Sequence, residues 1–398
     1  MSDRLKALIL THNYPRYQGD FAGVFISLLA KNLPEQGIDP IILAPHDAGA
    51  AEREEIDGVT IYRFRYADTD AKENIAYRGN MHQLVLKSPT GIFRFKHFLD
   101  SFRNSALDII EKEHIQVVAG HWLIPTGIVM RSIKKRISLP MVLSSHGTDI
   151  RLMRLYSGIV YQYLKGFCRS LNRWTVVSNF LREAVLEADS KLEPILEVLP
   201  LPHDETLFYR DTAVKRDPNL MVAVTRFTKQ KRVDFLIKAF ARVTERNQMV
   251  CLELFGSGPL KSEIIDMINR FGLKERVKLH KAVPQEQLRE VYNRASVVAL
   301  NSYQEGFGLA LSEAMLCGAA VIGTASGGIT DIITHNENGL LVEVDNSAAL
   351  AEAIMQLFDN DELRSKLADA GHDHARQTYA SDSLSKRYAE IIKEAVKK

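Results

Sequence analysis

Short apolar runs that alternate with longer amphipathic segments constrain the fold of this chain most strongly. The first half contains the runs KALILTH, DPIILAP, QVVAGHW, MVLSSH, RWTVVS and ILEVLP. Strands of a parallel sheet with both faces covered are almost continuously apolar, and the segments between them cross over as helices. The pattern therefore predicts an α/β fold with a doubly wound parallel sheet.

The same pattern starts again after a polar, charge-mixed segment, HDETLFYRDTAVKRDPN. The later runs are LMVAVTR, CLELFGSG, RVKLHKAV, SVVALNS, AAVIGTA and GLLVEVD. Because 398 residues exceed what one hydrophobic core usually holds, we predict two Rossmann-like domains facing each other across a cleft. Their bounds are 1–205 and 206–375, and a last helical segment covers 376–398. Open parallel sheets bind ligands at the carboxyl ends of their strands, so function is sought there.

Composition excludes some classes of protein. The chain has 51 basic and 49 acidic residues, and a formal charge of +2 argues against a dedicated nucleic-acid binder. Cys168, Cys251 and Cys317 lie far apart, without metal-ligand spacing or a disulfide framework. The apolar run near the amino end is too short for a signal-peptide core, and no run is long enough to span a membrane. We expect a cytoplasmic protein.

The segment QEGFGLALSEA, residues 304–314, carries two acids around a predicted helix start. Gly306 and Gly308 let a ligand approach the backbone closely, and the unpaired N–H groups of the first helical turn attract an anion. A diphosphate fits there, with Glu313 within reach of an attached ribose and Glu305 facing a sugar beyond the phosphates. The alternative is that acids near a helix start are merely favoured by the helix dipole.

Two cations follow the first strand of the second half. Arg226 and Lys231 lie on the loop before a helix, and a guanidinium fork with a point charge suits a diphosphate. Taken singly, each is equally typical of a surface charge. The segment FGSGP brings Gly256 to the next strand end, but it lacks the GxGxxG spacing of dinucleotide binders, which disfavours a dehydrogenase.

In the first half, polar and glycine residues also follow strands. Gly19 and Gly23, in YQGDFAG, allow close ligand approach before a helix. His121 and His146 each end a strand. One such histidine is more often structural than catalytic, but two opposite a phosphate site favour function.

These motifs, with SGGITDII and NGLLVEVDN, resemble in order the retaining, nucleotide-sugar-dependent glycosyltransferases of family 4, which have the two-domain GT-B fold. The resemblance implies that the terminal helix crosses back to brace the first domain. It implies that Glu305 and His121 act on the transferred sugar and that His146, Asp149 and Gly19 lie on the acceptor side. The implied donor-binding residues are Gly23, Arg226, Lys231, Gly256, Gly306, Phe307, Gly308, Leu309 and Glu313.

The chain departs from the family pattern at a few positions. The family usually has glycine where this chain has Thr225 and Arg232, and often an Asn-Gly turn where this chain has PLPHDETLF. Asp331 stands where glutamate is common. None of these changes removes a charge from the predicted diphosphate site.

The function that we predict is metal-independent, retaining transfer of a hexose from a nucleoside diphosphate sugar to a hydroxyl acceptor, without a cofactor. The acceptor is a glycan, a lipid-linked saccharide or a small molecule. The acids in DTD (68–70) and DND (359–361) do not indicate a metal site. Two alternatives remain open: a sugar phosphorylase on the same fold and a non-catalytic binder of sugar nucleotides.

Two segments mix aromatic and basic residues. GIFRFKHFLDSFRN and RSIKKRISL are compatible with docking on the anionic inner face of a membrane. The alternative, which we favour, is ordinary amphipathic helices with solvated basic faces.

Overall fold

The computed structural model describes residues 4–77, 81, 85, 89–155 and 159–397. Internal contacts divide the chain into unit 1, residues 1–202 with 381–398, and unit 2, residues 203–380. The helix before the last one continues to Thr378, so the last helix begins at Ser381 rather than at the predicted 376.

Unit 1 is built on one sheet, whose described strands have the order β3-β4-β2-β1-β5-β6-β7-β8. The strands are β1 (Leu5–Leu10), β2 (Ile38–Pro45), β3 (Arg53–Ile56), β4 (Val59–Phe64), β5 (Val117–His121), β6 (Met141–Ser145), β7 (Arg173–Val176) and β8 (Leu196–Val198). The helices are α1 (Val24–Lys31), α2 (Pro89–Lys112), α3 (Ile128–Lys134), α4 (Thr148–Leu155), α5 (Val160–Cys168), α6 (Asn179–Ala188) and, at the end of the chain, the helix Ser381–Lys397.

The pairing in this sheet is parallel except between β3 and β4. Every residue of β5 and β6 is buried, as the apolar runs predict. The connections reverse direction between the neighbours β1 and β5, which makes their carboxyl ends the switch point where ligands bind in such sheets.

The hairpin of β3 and β4 was not predicted. Its strands turn at Asp57 and Gly58, both of which have positive φ angles, 52° and 73°. Asp-Gly at the centre of a two-residue turn is a hairpin signal. β3 is mostly exposed, so it lacks the apolar run that marks the other strands.

The last helix completes the core of unit 1. Six of its side chains belong to the cluster that includes Ile26 and Leu29 of α1: Leu384, Tyr388, Ala389, Ile391, Ile392 and Ala395. Polar contacts fix the same helix, since Arg387 donates to Glu197 at 2.6 Å and Arg173 donates to Glu394 at 2.9 Å. The helix therefore belongs energetically to the sheet that the first 200 or so residues build.

The aromatic segment of α2 divides between core and surface. Phe98 and Phe102 are fully buried, and the ring of Phe102 stacks on Phe64 at 4.5 Å. Phe93 is exposed. This is the pattern of an amphipathic helix, with one face in the core and the other exposed. Among the described helices, none is both long enough and apolar enough to cross a membrane.

Unit 2 has a second parallel sheet, with the described order β11-β10-β9-β12-β13-β14. The strands are β9 (Asp217–Val224), β10 (Cys251–Phe255), β11 (Val277–His280), β12 (Ala295–Leu300), β13 (Ala320–Thr324) and β14 (Leu340–Val342). The helices are α7 (Val233–Arg246), α8 (Lys261–Arg270), α9 (Gln285–Arg294), α10 (Leu309–Leu316), α11 (Ile329–Ile332), α12 (Ser347–Asp359) and α13 (Asp361–Thr378), so the helix Ser381–Lys397 is α14.

The switch point of this sheet lies between β9 and β12. The loop after β9 carries Arg226 and Lys231, and the loop after β12 carries Glu305. Because these strands are hydrogen-bonded neighbours, their carboxyl ends bring the predicted cations and the glutamate motif to the same edge. Two parallel-sheet α/β domains were the predicted fold class, and the structure confirms it.

Candidate active site

Helix α10 begins directly after residues 301–308 of unit 2, which form the glutamate loop and carry Glu305. Gly308 precedes it with a φ of 121°, and no side chain caps its first turn. The N–H groups of a first turn have no partner within their helix, and the helix dipole adds partial positive charge there. Gly318, with a φ of 74°, follows the last turn and ends the helix. The amino end of α10 is thus equipped to bind an anion.

Lys231 and Glu305 form an ion pair beside this helix start. The lysine Nζ donates to the carboxylate Oε2, and both side chains are largely buried. Burial raises the pKa of Glu305, but the charge and hydrogen bond of Lys231 oppose it, and the net pKa is lowered. Glu305 is therefore ionised at neutral pH.

The loops that carry this pair are tied together by backbone bonds. Tyr303 N donates to Gln230 O at 2.8 Å, and the side chain of Gln230 donates to Gln304 O at 3.2 Å. Arg232, which stands where the resembled family usually has glycine, keeps a left-handed backbone with a φ of 46°. Its guanidinium pairs with Asp345 at 2.8 Å.

Gly256 has a packing role next to Arg226. A Cβ at Gly256 would lie 1.9 Å from Thr225 O, and one at Gly258 would lie 2.4 Å from Phe227 O. The segment FGSGP therefore packs directly against the backbone of Thr225 and Phe227, which flank Arg226. The side chain of Arg226 is exposed. The structure gives Gly256 a reason to be glycine other than the predicted contact with the donor.

Gly327 and Gly328 pack against the backbone of the glutamate loop, and we predicted no role for them from the sequence. A Cβ at Gly327 would lie 2.2 Å from Glu305 O, and one at Gly328 would lie 2.4 Å from Gly306 O. Gly328 N also donates to Glu305 O at 2.8 Å. The glycine pair of SGGITDII was the available signal, since adjacent glycines mark close backbone approach.

Glu313 lies one turn into α10 and is buried. The hydroxyl group of Tyr292, on α9, donates a hydrogen bond to Glu313 Oε2 at 3.2 Å. Burial raises the pKa of Glu313 to about 8, although the bond from Tyr292 opposes the shift. Sequence reasoning missed Tyr292, because a tyrosine within an amphipathic helix gives no signal of a specific partner.

Only the backbone of Phe307 is available for the predicted contact with the donor. Its side chain is buried, and its ring meets Tyr379 edge-on at 5.4 Å. The same tyrosine contacts His203, whose Nε2 lies 2.7 Å from Ser312 Oγ. Phe307 is thus the hydrophobic anchor that holds the glutamate loop against the end of α13, while Leu309 begins α10.

In unit 1 the two predicted histidines lie side by side. His121 Nδ1 is 3.0 Å from His146 Nε2, and the rings stack at 5.2 Å. His121 Nε2 is 3.2 Å from Tyr388 Oη of α14, and His121 is fully buried. Burial, with a smaller contribution from His12, lowers the pKa of His121 to about 3. Both of its ring nitrogens therefore have partners inside unit 1, and the contact of His121 with a sugar stays a prediction.

His12 also belongs to this cluster and was not singled out. It closely follows β1, just as His146 follows β6, and its ring lies 4.5 Å from Trp122. Phe25 of α1 packs against His146 at 4.7 Å. Burial lowers the pKa of His12 to about 4. The switch point of unit 1 thus carries neutral imidazoles among aromatic rings.

Asp149 anchors this cluster and does not present a free carboxylate. It is buried and accepts hydrogen bonds from Leu123 N at 2.7 Å, Gly147 N at 3.1 Å and His146 N at 3.3 Å. Burial raises its pKa, although these bonds oppose the shift. Its position makes it a residue that orients the His146 loop.

The predicted glycines of unit 1 differ from one another. Gly23 has a φ of 65°, and a Cβ there would lie 2.2 Å from Asn13 O, so it lets α1 begin against the loop after β1. Gly19 is exposed, with a φ of 82°. Arg16 holds this loop by donating to Asp20 at 2.7 Å and to Asp47 at 2.5 Å.

One cluster among the described residues has the composition of a metal site. His46, Asp70 and Glu73 offer ligand atoms within 4.8 Å of one another, and Asp70 belongs to the DTD segment. The cluster already has a cation, because Arg65 donates to Asp70 at 2.5 Å and lies 3.7 Å from Glu73. His46 also contacts Glu73 directly at 2.6 Å. The donor set is thus that of an ion-pair network.

Comparison with protein families supports the glycosyltransferase resemblance along most of the chain. Residues 205–374 match the model "Glycosyl transferases group 1", and residues 22–196 match the model "Glycosyltransferase Family 4". The chain belongs to the group 1 glycosyltransferases. Its two parallel-sheet domains are those of the GT-B fold.

Individual relatives have low sequence identity to this chain, but the matches extend over most of both proteins. The N-acetyl-alpha-D-glucosaminyl L-malate synthase of Bacillus anthracis is 25% identical over 309 residues, which cover 75% of this chain and 80% of that protein. An uncharacterized glycosyltransferase of Methanocaldococcus jannaschii is 26% identical over 415 residues, covering 98% of this chain and 99% of its own.

Solved structures share the fold at low identity. Sucrose-phosphate synthase from Thermosynechococcus elongatus has a TM-score of 0.79 at 18% identity, with 98% of both chains covered. Anabaena HepE, solved in complex with UDP and glucose, has a TM-score of 0.69 at 17% identity, covering 97% of this chain and 98% of its own. At these identities the likeness establishes the architecture.

Proposed function

We propose that this group 1 glycosyltransferase moves a hexose from a nucleoside diphosphate sugar to a hydroxyl acceptor with retention of configuration. The observation that carries the proposal is the Lys231–Glu305 ion pair beside the uncapped start of α10. A cation and free N–H groups suit a diphosphate, and an ionised carboxylate next to them suits the hydroxyl groups of a sugar.

The charges fit the demands of the reaction. Breaking a sugar–phosphate bond builds negative charge on the leaving diphosphate, and fixed donors that face this charge lower the barrier. Arg226, Lys231 and the first turn of α10 are such donors in unit 2. We propose that they suffice for transfer without a divalent ion.

The nucleoside belongs at Glu313. The glutamate lies one turn beyond the anion site, so at 1.5 Å per residue its carboxyl group is within reach of a ribose joined to the diphosphate. Anabaena HepE was solved with UDP and glucose bound, which supports a nucleoside diphosphate sugar as the donor here. The Bacillus anthracis relative is named N-acetyl-alpha-D-glucosaminyl L-malate synthase, which supports a small hydroxyl compound among the candidate acceptors.

Retention follows from front-side attack in this proposal. An oxygen of the leaving diphosphate takes the proton of the acceptor hydroxyl while Glu305 holds the donor sugar. The ion pair with Lys231 supports a binding role for Glu305, because a carboxylate held by a lysine is a poorer nucleophile than a free one. Unit 1, with its neutral imidazoles, serves the acceptor.

The test measures release of nucleoside diphosphate from a panel of nucleotide sugars, with and without hydroxyl acceptors. The wild type should release it with acceptor and in the presence of a chelator, and Glu305→Gln should lose most of this turnover while still binding the nucleotide. Glu337→Gln, at an exposed position of the same unit, is the matched control. Wild-type turnover in Glu305→Gln would refute the assignment of Glu305. Cleavage that needs inorganic phosphate would instead identify a sugar phosphorylase.

A further inference from the structure

The buried hydroxyl of Tyr388 has an environment that core packing alone does not explain. Tyr388 belongs to α14 and is fully buried, yet its Oη contacts the strand-end histidine His121 at 3.2 Å. Ser144, on the neighbouring strand β6, accepts from Thr175 Oγ1 at 2.8 Å. A buried chain of hydrogen bonds runs from Tyr388 of α14 to the histidine pair.

The direction of this chain follows from the chemistry of its members. A phenol is a better proton donor than a neutral imidazole N–H, and an imidazole nitrogen is a better acceptor than a phenol oxygen. Tyr388 therefore donates to His121 Nε2. A neutral histidine that accepts at Nε2 carries its proton at Nδ1, so His121 donates from Nδ1 to His146 Nε2.

The last member of the chain ends without a protein partner. His146 accepts at Nε2 and so carries its proton at Nδ1, which is buried and has no hydrogen-bond partner among the described residues. Buried polar atoms in proteins are nearly always satisfied by protein, water or ligand. The Nδ1–H of His146 is therefore left for an oxygen of water or of a bound ligand.

We propose that Tyr388 is a positioning residue that fixes the tautomers of His121 and His146, so that His146 presents an N–H donor to an oxygen of the bound substrate. This inference rests on the proposed function for the substrate and on the hydrogen-bond chain for the tautomers. It assigns His121 to the connecting position and the direct contact to His146. The two histidines act as a directed pair and not as a general base.

The first experiment reads the tautomers directly, without substrate. Nitrogen NMR of protein labelled at histidine distinguishes protonated from unprotonated ring nitrogens, and His121→Gln and His146→Gln assign the signals. In the wild type, His121 should be unprotonated at Nε2, and His146 should be protonated at Nδ1. In Tyr388→Phe, which keeps the ring and removes the donor, both histidines should shift towards the Nε2–H form. A wild-type His121 protonated at Nε2 would overturn the proposal.

The second experiment measures turnover. Tyr388→Phe should lower kcat about tenfold and leave KM for the donor unchanged, since one hydrogen bond of ordinary strength is lost from the reacting geometry. The control is Tyr161→Phe, which removes another buried hydroxyl of unit 1, bonded to Asp189 at 2.7 Å. It should lower thermal stability without changing kcat or the histidine spectra. Equal kcat in Tyr388→Phe and wild type would overturn the positioning role.

These outcomes separate the two proposals. If no nucleotide sugar is turned over, the proposed function fails, while the spectra still decide the tautomers. If turnover is found and the spectra of Tyr388→Phe match those of the wild type, the inference about Tyr388 fails alone.

Discussion

The switch points of the two sheets occupy equivalent places but carry opposite chemistry. In unit 2 the edge between β9 and β12 holds full charges, with Lys231 paired to Glu305 and a helix start beside them. In unit 1 the edge between β1 and β5 holds His12, His121 and Trp122, and burial keeps its histidines neutral. The topology decides where a ligand binds, and the side chains decide which part of a reaction each edge can serve.

In the proposed function, the difference corresponds to two chemical tasks. A departing diphosphate needs positive charge fixed in advance, which the charged edge provides. An incoming hydroxyl needs orientation by hydrogen bonds, and a full charge beside it would be costly to bury without a partner. A protein that separates these tasks between two sheets can change its acceptor without changing its donor site.

Removing charge from unit 2 should have the largest effect. Lys231→Ala should lower kcat by about a hundredfold or more, because one fixed donor facing the leaving group is lost. Lys229→Ala, an exposed lysine of the same turn, should keep wild-type turnover. Steady-state kinetics with a nucleotide sugar measures both. Normal turnover in Lys231→Ala would contradict the assignment of the leaving diphosphate to the charged edge of unit 2.

The pH dependence of stability should show a smaller effect, whose sign at Glu313 of unit 2 is opposite to that at the buried histidines His12 and His121 of unit 1. Burial raises the pKa of Glu313 to about 8, so its contribution to stability is complete below its unfolded pKa and is lost as pH rises through about 8. Between about pH 6 and pH 8, the wild type should lose about 2 kcal/mol of unfolding free energy relative to Glu313→Gln.

Denaturant titrations at several pH values measure this loss, with Glu337→Gln as an exposed control. The buried histidines of unit 1 act in the other direction. Their lowered pKa values mean that stability present above the unfolded pKa is lost as pH falls towards about 4 and below. A parallel pH response of Glu313→Gln and wild type would contradict the buried, protonated state of Glu313.

The smallest predicted effect concerns the glycine that supports Arg226. Gly256→Ala should lose at least about 1 kcal/mol more unfolding free energy than Gly272→Ala, because its Cβ would meet Thr225 O and its φ is 146°, whereas Gly272 has open space and a φ of 67° in the left-handed region. Thermal or chemical denaturation compares the two variants. If they lose the same stability, neither the close approach to Thr225 nor the φ of Gly256 carries an extra cost.

The sequence predicted strands and helices better than it predicted contacts between side chains that are distant along the chain. The apolar runs located most of the strands, and QEGFGLALSEA located the start of α10 from its glycines, because periodicity and helix signals act over a few residues. Tyr292, Gly328 and Tyr388 were missed, since each meets its partner only after the chain has folded. The burial of His121 was missed for the same reason, as the residue that covers it is 267 positions away.

The place of α14 in the core of unit 1 has a consequence for synthesis on the ribosome. Unit 2 is one continuous stretch of chain, and all of it emerges before residues 381–397. The apolar surface around Ile26 and Leu29 therefore stays uncovered until residues 381–397 have been made. Unit 2 can fold during this interval, while unit 1 still exposes part of its core, and exposed apolar surface of this kind favours aggregation.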